Sequence, residues 1–367
     1  MKPNRFVFLD IFRGLTVCLM ILVNNPGSWG HIYSPLKHAA WHGLTLADLV
    51  FPFFLFAVGV SIPISIKESP NWKKIFLRSG FIFSLGIFLN GFPNFHCSTI
   101  RIPGVLQRIA IVYFFCALFL IASKRFLDWQ KPFLLFLFLF FNLLHSYTLL
   151  FVPSPNEASA SLEIGKNISA YIDNFFLKGH LWQYSKTWDP EGILSTVTSV
   201  SSGIVGVYFG MELKNNGKLE IVNSLLIAFI IFLFAFGFQP YLPFNKSLWT
   251  SSFVLMTSSL AIGILIIIYF LSELKKIQSL FSIFRIFGES ALFIYFVSSL
   301  LAKLMNIPFL NFKSKSIGIK TFLYAEFFKP YFTAFEASFL WSIFIFILCY
   351  IILILKRSIR HKKKHSI

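Results

Sequence analysis

The sequence predicts an all-α fold: a polytopic transmembrane helix bundle of about ten spans with both termini on the cytoplasmic side. Three observations carry that prediction. First, 56% of the 367 residues are hydrophobic and only 13% are charged, where a soluble chain carries roughly 25% charged residues. Second, the apolar residues fall in long runs, each close to the roughly 20 residues needed to cross a bilayer. Third, the basic residues are unevenly shared between the segments that join these runs. Together they exclude a soluble enzyme, a disordered chain and a single-span anchor.

The apolar runs lie at 6–24, 44–66, 75–92, 102–123, 132–152, 191–211, 218–237, 248–271, 284–305 and 331–355. The first begins after a basic Met1–Arg5 and resembles a signal peptide. However, Asp10 and Arg13 interrupt it, and Asn24-Asn25-Pro26 stands where small residues would mark cleavage. It is read as a retained span. With the N-terminus in the cytoplasm, the inner segments hold 20 Lys and Arg and the outer segments nine. The outer loops near 25–43, 153–190 and 306–330 are the longer ones, so the contrast in density exceeds the counts. The net charge of +18 is thus the mark of cytoplasmic loops, and no nucleic-acid partner is expected. Residues 1–355 form a single transmembrane domain, and 356–367 a basic cytoplasmic tail. Of the four cysteines, Cys18, Cys116 and Cys349 lie inside apolar runs and Cys97 in a loop; their spacing gives neither a disulfide framework nor a metal site.

Charge inside a span is costly and points to function or to pairing. Asp10 and Arg13 are three residues apart, on one helical face, as a self-compensating pair or as a binder of an anionic ligand. Arg101 and Arg108 stand at i and i+7 of the fourth span. Asp189-Pro190-Glu191-Gly192 opens the sixth, with Asp189 suited to an N-cap. The hydroxyl-rich stretch Ser195 to Ser202 that follows suits close helix packing, with a polar channel as the alternative. The first outer loop is richest: His31, His38 and His42 fall within twelve residues. His38 and His42, at i and i+4, could share a helical face and suggest metal, but no third ligand stands at the right spacing, so no metal is expected. A base that works near neutral pH, oriented by Asp48, is the sharper reading.

Leu9-Asp10-Ile11-Phe12-Arg13-Gly14-Leu15, Val23-Asn24-Asn25, and the stretch from His38 through Phe51-Pro52-Phe53-Phe54 resemble the heparan-α-glucosaminide N-acetyltransferase family of multispan acyltransferases. The resemblance continues, in the same order, through Arg101-Ile102-Pro103-Gly104-Val105-Leu106-Gln107-Arg108, Asp189-Pro190-Glu191-Gly192-Ile193-Leu194 and Asn245-Lys246-Ser247-Leu248-Trp249. It implies transfer of an acetyl group from cytoplasmic acetyl-CoA, as co-substrate, to an amino sugar or similar glycan acceptor on the extracytoplasmic side. By the same resemblance His38 matches the catalytic histidine and Asn24 a site-lining asparagine. His38 would be the base or the acetyl carrier, Asn24 a donor to the thioester oxygen, and Asp48 the residue orienting His38. Arg13, Arg101 and Arg108 are candidates for contacts to the CoA phosphates or pantetheine, or for structural ion pairs. The sequence departs from the family in lacking a large lumenal N-terminal domain. It also departs in the ninth span, where Phe293-Ile294-Tyr295-Phe296-Val297-Ser298-Ser299 replaces a Gly-His-Glu. The expected setting is a bacterial cytoplasmic membrane, with the bilayer as partner and a homodimer left open. A transporter of an anionic metabolite or envelope precursor is the alternative function, since buried charge marks ion paths too.

Overall fold

The computed structural model describes residues 6–66, 69–155, 157–308, 310–312 and 315–365. The basic residues Lys2, Arg5, Lys67 and Lys313 of the orientation count lie outside them. In chain order the helices are α1 (Val7–Asn24), α2 (Leu46–Ser65), α3 (Trp72–Gly91), α4 (Val105–Ser123), α5 (Gln130–Phe151), α6 (Ile168–Leu177) and α7 (Ile193–Asn216). They continue with α8 (Ile221–Phe238), α9 (Ser251–Tyr269), α10 (Ser282–Gly288), α11 (Ala291–Leu304), α12 (Ile319–Leu323) and α13 (Ala334–His365). An antiparallel pair, β1 (Leu310–Phe312) and β2 (Lys315–Ile317), is joined in the register Leu310 to Ile317 and Phe312 to Lys315.

The protein is an all-α polytopic bundle. Eight of the described helices are long and apolar enough to cross a membrane: α1, α2, α4, α5, α7, α8, α9 and α13. A ninth candidate is broken: the segment Gln278–Gly288 and α11 meet at a bend of 65°. Glu289 and Ser290 sit at the bend. α3 matches the third expected segment, with Lys73, Lys74 and Arg78 diluting its first two turns. The fourth span starts at Val105, so Arg101 is not on the helix with Arg108 but in the segment before it. Pro103 explains this, because the residue before a proline is pushed out of the helical region. The N-cap of α7 is Gly192, and no side chain caps it from that position. Asp189 is therefore not the N-cap of the sixth span.

The chain divides into two compact units. One comprises residues 39–44 and 52–269; the other comprises 6–38, 45–51 and 270–365. In the first, α2 and α7 approach through small residues. A Cβ on Gly59 would lie 2.1 Å from the Gly203 carbonyl oxygen, and one on Gly206 would lie 2.1 Å from that of Phe56. Ser195, Thr198, Ser199, Ser201 and Ser202 of α7 are buried, so the hydroxyl stretch is packed rather than exposed. Small residues at such crossings let backbones come close, which drives helix association in lipid. In the second unit α1 and α10 cross in the same way. A Cβ on Gly14 would fall 1.6 Å from the Phe284 carbonyl oxygen, and one on Gly288 would fall 1.7 Å from that of Asp10.

Candidate active site

His38 and Asp48 both belong to the second unit. The run from Lys37 to Gly43 forms no helix, so the shared helical face expected for His38 and His42 does not exist. Instead, His38 Nδ1 lies 2.8 Å from Asp48 Oδ1. Asp48 enters α2 in its first turn and is only 1% exposed. Its second oxygen, Oδ2, accepts from the Thr45 backbone N–H at 3.1 Å and from the Thr45 hydroxyl at 2.9 Å. An acid that reaches back to the residue opening its own helix satisfies one of the helix's orphan donors. That bond locks the carboxylate, and a negative charge is favoured at this helix end. The fixed Oδ1 then sets the imidazole: a carboxylate only accepts, so Nδ1 carries the proton and Nε2 becomes the basic nitrogen. The His38 side chain is 36% exposed, enough to meet a second molecule.

Asn24, at the end of α1, is exposed and lines a cavity of about 160 Å³ with Asn25, Trp29, Lys303, Asn306, Lys320 and Trp341 among others. His38 is not among the residues lining it. The neighbouring Asn25 is buried and donates to Ile21 O at 2.8 Å. Ser338 and Ser342 of α13 tie this turn down: Gly27 N donates to Ser338 O at 3.0 Å, and Ser342 Oγ donates to Asn25 O at 3.1 Å. Lys320 donates to Pro26 O at 3.0 Å; burial lowers its pKa from the ordinary lysine value. Arg13 donates to Asp10 at 2.6 Å, with side-chain exposures of 31% and 4%. The i, i+3 pair expected from the sequence is formed.

Arg101 and Arg108 belong to the first unit, in a buried network. Arg101 grips Asp189 with two bonds, Nε to Oδ2 at 2.8 Å and Nη2 to Oδ1 at 2.5 Å, and reaches Glu191 at 2.5 Å. The Trp182 and Glu191 backbone N–H groups also donate to Asp189. Burial alone would lower the Arg101 pKa, but Glu191 and Asp189 reverse the effect and raise it. Burial alone would raise Glu191; the charges of Arg101, Arg108 and Lys246 outweigh it and hold the group below the usual range. Arg108, only 1% exposed, donates to Ser195 Oγ at 2.5 Å, Thr196 Oγ1 at 3.2 Å and Pro190 O at 3.2 Å. Its guanidinium lies over the Trp249 ring at 4.8 Å. Asp173 of α6 accepts from Ile193 N at 2.8 Å and Asp189 N at 3.2 Å. It is thus the acid at the N-terminus of α7. Burial raises its pKa from 3.8 to about 6.

His42 lies in the first unit with Asn245 Nδ2 3.3 Å from its Nδ1, and burial lowers its pKa. Sequence reasoning missed Thr45 and Asp173. The Thr45-x-x-Asp48 spacing is a helix-start signature that could have found the first. Nothing local marks Asp173.

A bundle of membrane-spanning helices, with a carboxylate-anchored histidine on the loop between its first two spans, defines a polytopic integral membrane protein with a polar site in its second unit. Residues 5–160 match the model of the heparan-α-glucosaminide N-acetyltransferase catalytic region. Heparan-α-glucosaminide N-acetyltransferase of Homo sapiens is 30% identical over 333 residues, covering 74% of this chain and 50% of the human protein. The Mus musculus protein of the same name is 28% identical over 339 residues, covering 75% and 50%. The chain is thus similar to this family over residues 5–160 and, at 28–30% identity, over about three quarters of its length. It spans about half the length of the curated relatives it matches.

Proposed function

We propose that the protein is a membrane acetyltransferase that moves an acetyl group from acetyl-CoA, entering from the cytoplasmic side, to the amine of a glucosamine-type or other glycan acceptor outside, across a bacterial cytoplasmic membrane. The observation that carries the reading is the His38–Asp48 pair, with Asp48 locked by Thr45 at the mouth of α2. The similarity to the heparan-α-glucosaminide N-acetyltransferases supplies the reaction class.

The acceptor nitrogen attacks the thioester carbonyl carbon. His38 Nε2 takes the proton that the amine loses as the C–N bond forms. Asp48 stabilises the imidazolium and keeps its orientation. Asn24 donates to the carbonyl oxygen as it turns negative. When the C–S bond breaks, the proton passes from His38 to the departing sulfur, and the products are the acetamide and free CoA. A positioned base contributes about 10²–10⁴-fold and an oxyanion donor on the order of 10²–10³-fold. A neutral amine needs no covalent relay at that level of assistance, so we favour direct transfer over an acetyl-His38 carrier. The pantetheine arm is shorter than the roughly 30 Å hydrocarbon core, so the donor enters a crevice from within. Of the three arginines, Arg13 is retained as a donor contact. The carboxylate and hydroxyl partners of Arg101 and Arg108 support a structural role for those two.

The test is acetyl transfer by purified protein. With labelled acetyl-CoA and glucosamine, wild type should release CoA and form the labelled acetamide. His38→Ala should abolish both while the protein still purifies as a single species, and His42→Ala should stay active. Label held by the protein in the absence of acceptor, and passed on when amine is added, would replace direct transfer by the carrier route. Flux of a substrate across vesicles with no CoA release would sink the enzyme reading in favour of a transporter.

A further inference from the structure

In the first unit a groove of about 440 Å³ opens between α5, α7 and α8. Its walls are apolar: Leu134 and Phe138 of α5, Ile204 and Val205 of α7, Ile227 and Ile231 of α8. The polar groups stand at one end, where Lys131 begins α5 and its ammonium lies over the Tyr208 ring, 4.8 Å from the centroid. We propose that this groove binds one acyl chain of an anionic phospholipid from the leaflet on the Lys131 side, with the lipid phosphate on Lys131.

The dimensions fit a single leaflet. From Lys131 to Phe138 is seven residues, which at the helical rise is about 10 Å. Half of the hydrocarbon core is about 15 Å. The groove therefore starts at the headgroup level and ends short of the midplane, as one acyl chain does. Its volume is within the range of roughly 300–1,000 Å³ seen for small-molecule sites. The surroundings are lipid-facing: Leu135 of α5 is 56% exposed, and Val222, Leu226, Phe229 and Ile230 of α8 are more than half exposed. Trp129, 70% exposed at the turn into α5, is the type of ring that sits at the membrane–water boundary.

Charge decides which lipid. The connection 124–131 carries Lys124, Arg125 and Lys131 against Asp128, on the side that the distribution of Lys and Arg marks as cytoplasmic, where anionic lipids are drawn to basic residues. A basic pocket between spans on that side recognises an anionic headgroup. The aromatic ring of Tyr208 holds the Lys131 ammonium at the mouth.

Native mass spectrometry of the detergent-purified protein tests this, with phosphatidylglycerol and phosphatidylcholine of identical acyl chains as probes. Wild type should retain one phosphatidylglycerol, bound about fivefold more tightly than phosphatidylcholine. Lys131→Gln, at an exposed position, should remove the preference and keep weak binding of both lipids. Ile231→Trp, which fills the groove, should lower retention of both. Equal retention in wild type and both variants would mean belt lipid only and would overturn the proposal. A lipid-free dimer that Ile231→Trp splits would overturn it in favour of a protein interface.

Discussion

Replacing Asp48 by Asn separates an orienting role from a purely capping one. Asp48 Oδ2 accepts two hydrogen bonds from Thr45, one of them from a backbone N–H. An amide nitrogen cannot accept from that N–H, so in Asp48→Asn the amide oxygen must occupy the Oδ2 position. The –NH₂ group then takes the place of Oδ1, 2.8 Å from His38 Nδ1. Facing a donor, Nδ1 has to become the acceptor, and the ring proton moves to Nε2. The base is lost although nothing has moved. Positioned general bases contribute about 10²–10⁴-fold, so kcat/KM should fall by that range. Stability should change by only about 1 kcal/mol, because the helix-end bonds to Thr45 are kept and one hydrogen bond is exchanged for another. The assay is the initial rate of CoA thiol release in detergent with saturating acetyl-CoA and varied glucosamine, beside a thermal unfolding curve. Thr45→Ala should lower the rate less, since the backbone N–H still holds Oδ2. If Asp48→Asn stays within about twofold of wild type in kcat/KM, Asp48 serves only the helix end and the proposed orientation of His38 is wrong.

Arg101→Ala leaves two buried carboxylates without their guanidinium, at a cost of about 3–5 kcal/mol read as a lower unfolding midpoint; an unchanged midpoint with a raised KM for acetyl-CoA would return Arg101 to donor binding. Asp173 has a folded pKa of about 6 against an ordinary 3.8, so the folded state holds its proton more tightly and stability falls as pH rises from about 4 through 6. Wild type should therefore gain on the order of 3 kcal/mol between pH 7 and pH 4 relative to Asp173→Asn, and parallel curves for the two would contradict the buried acid. Gly14→Ala drives a methyl group into the Phe284 carbonyl and should cost more than about 4 kcal/mol, read as loss of a monodisperse species, while Gly80→Ala, with nothing within 4 Å, should be harmless. A reporter fused after Lys364 should be cytoplasmic and a tag near Ser159 external; both on one side would make the span count wrong by an odd number.

The helices were legible in the sequence because their information is local. In lipid a segment must satisfy its own backbone hydrogen bonds, so length and apolarity suffice to find it: nine of the ten expected runs overlap the eight candidate spans or the bent pair, and the third, α3, is a helix that is not among these candidate spans. The ends were less legible. Pro103 moved the start of α4 past Arg101, and Asp173, sixteen residues before Asp189, took the role at the start of α7 that Asp189 seemed suited to. The pairing of Asp10 with Arg13 was legible for the same reason as the helices: one turn of helix brings the two together.

What the sequence alone determined is therefore the chemistry available: one histidine-rich loop between the first two apolar runs, an acid ten residues beyond His38, and a handful of charges too costly to leave unpaired in a membrane. Tertiary structure decided how they pair. Arg101 meets Asp189 across 88 residues, Arg108 meets Trp249, and Gly14 meets the backbone of Phe284. It also gave the loop no helix, so the shared face expected of His38 and His42 did not form. The physical reason is that a side chain's partner across a helix crossing depends on which faces come together, and hydropathy encodes only that a segment is buried, not which neighbour buries it.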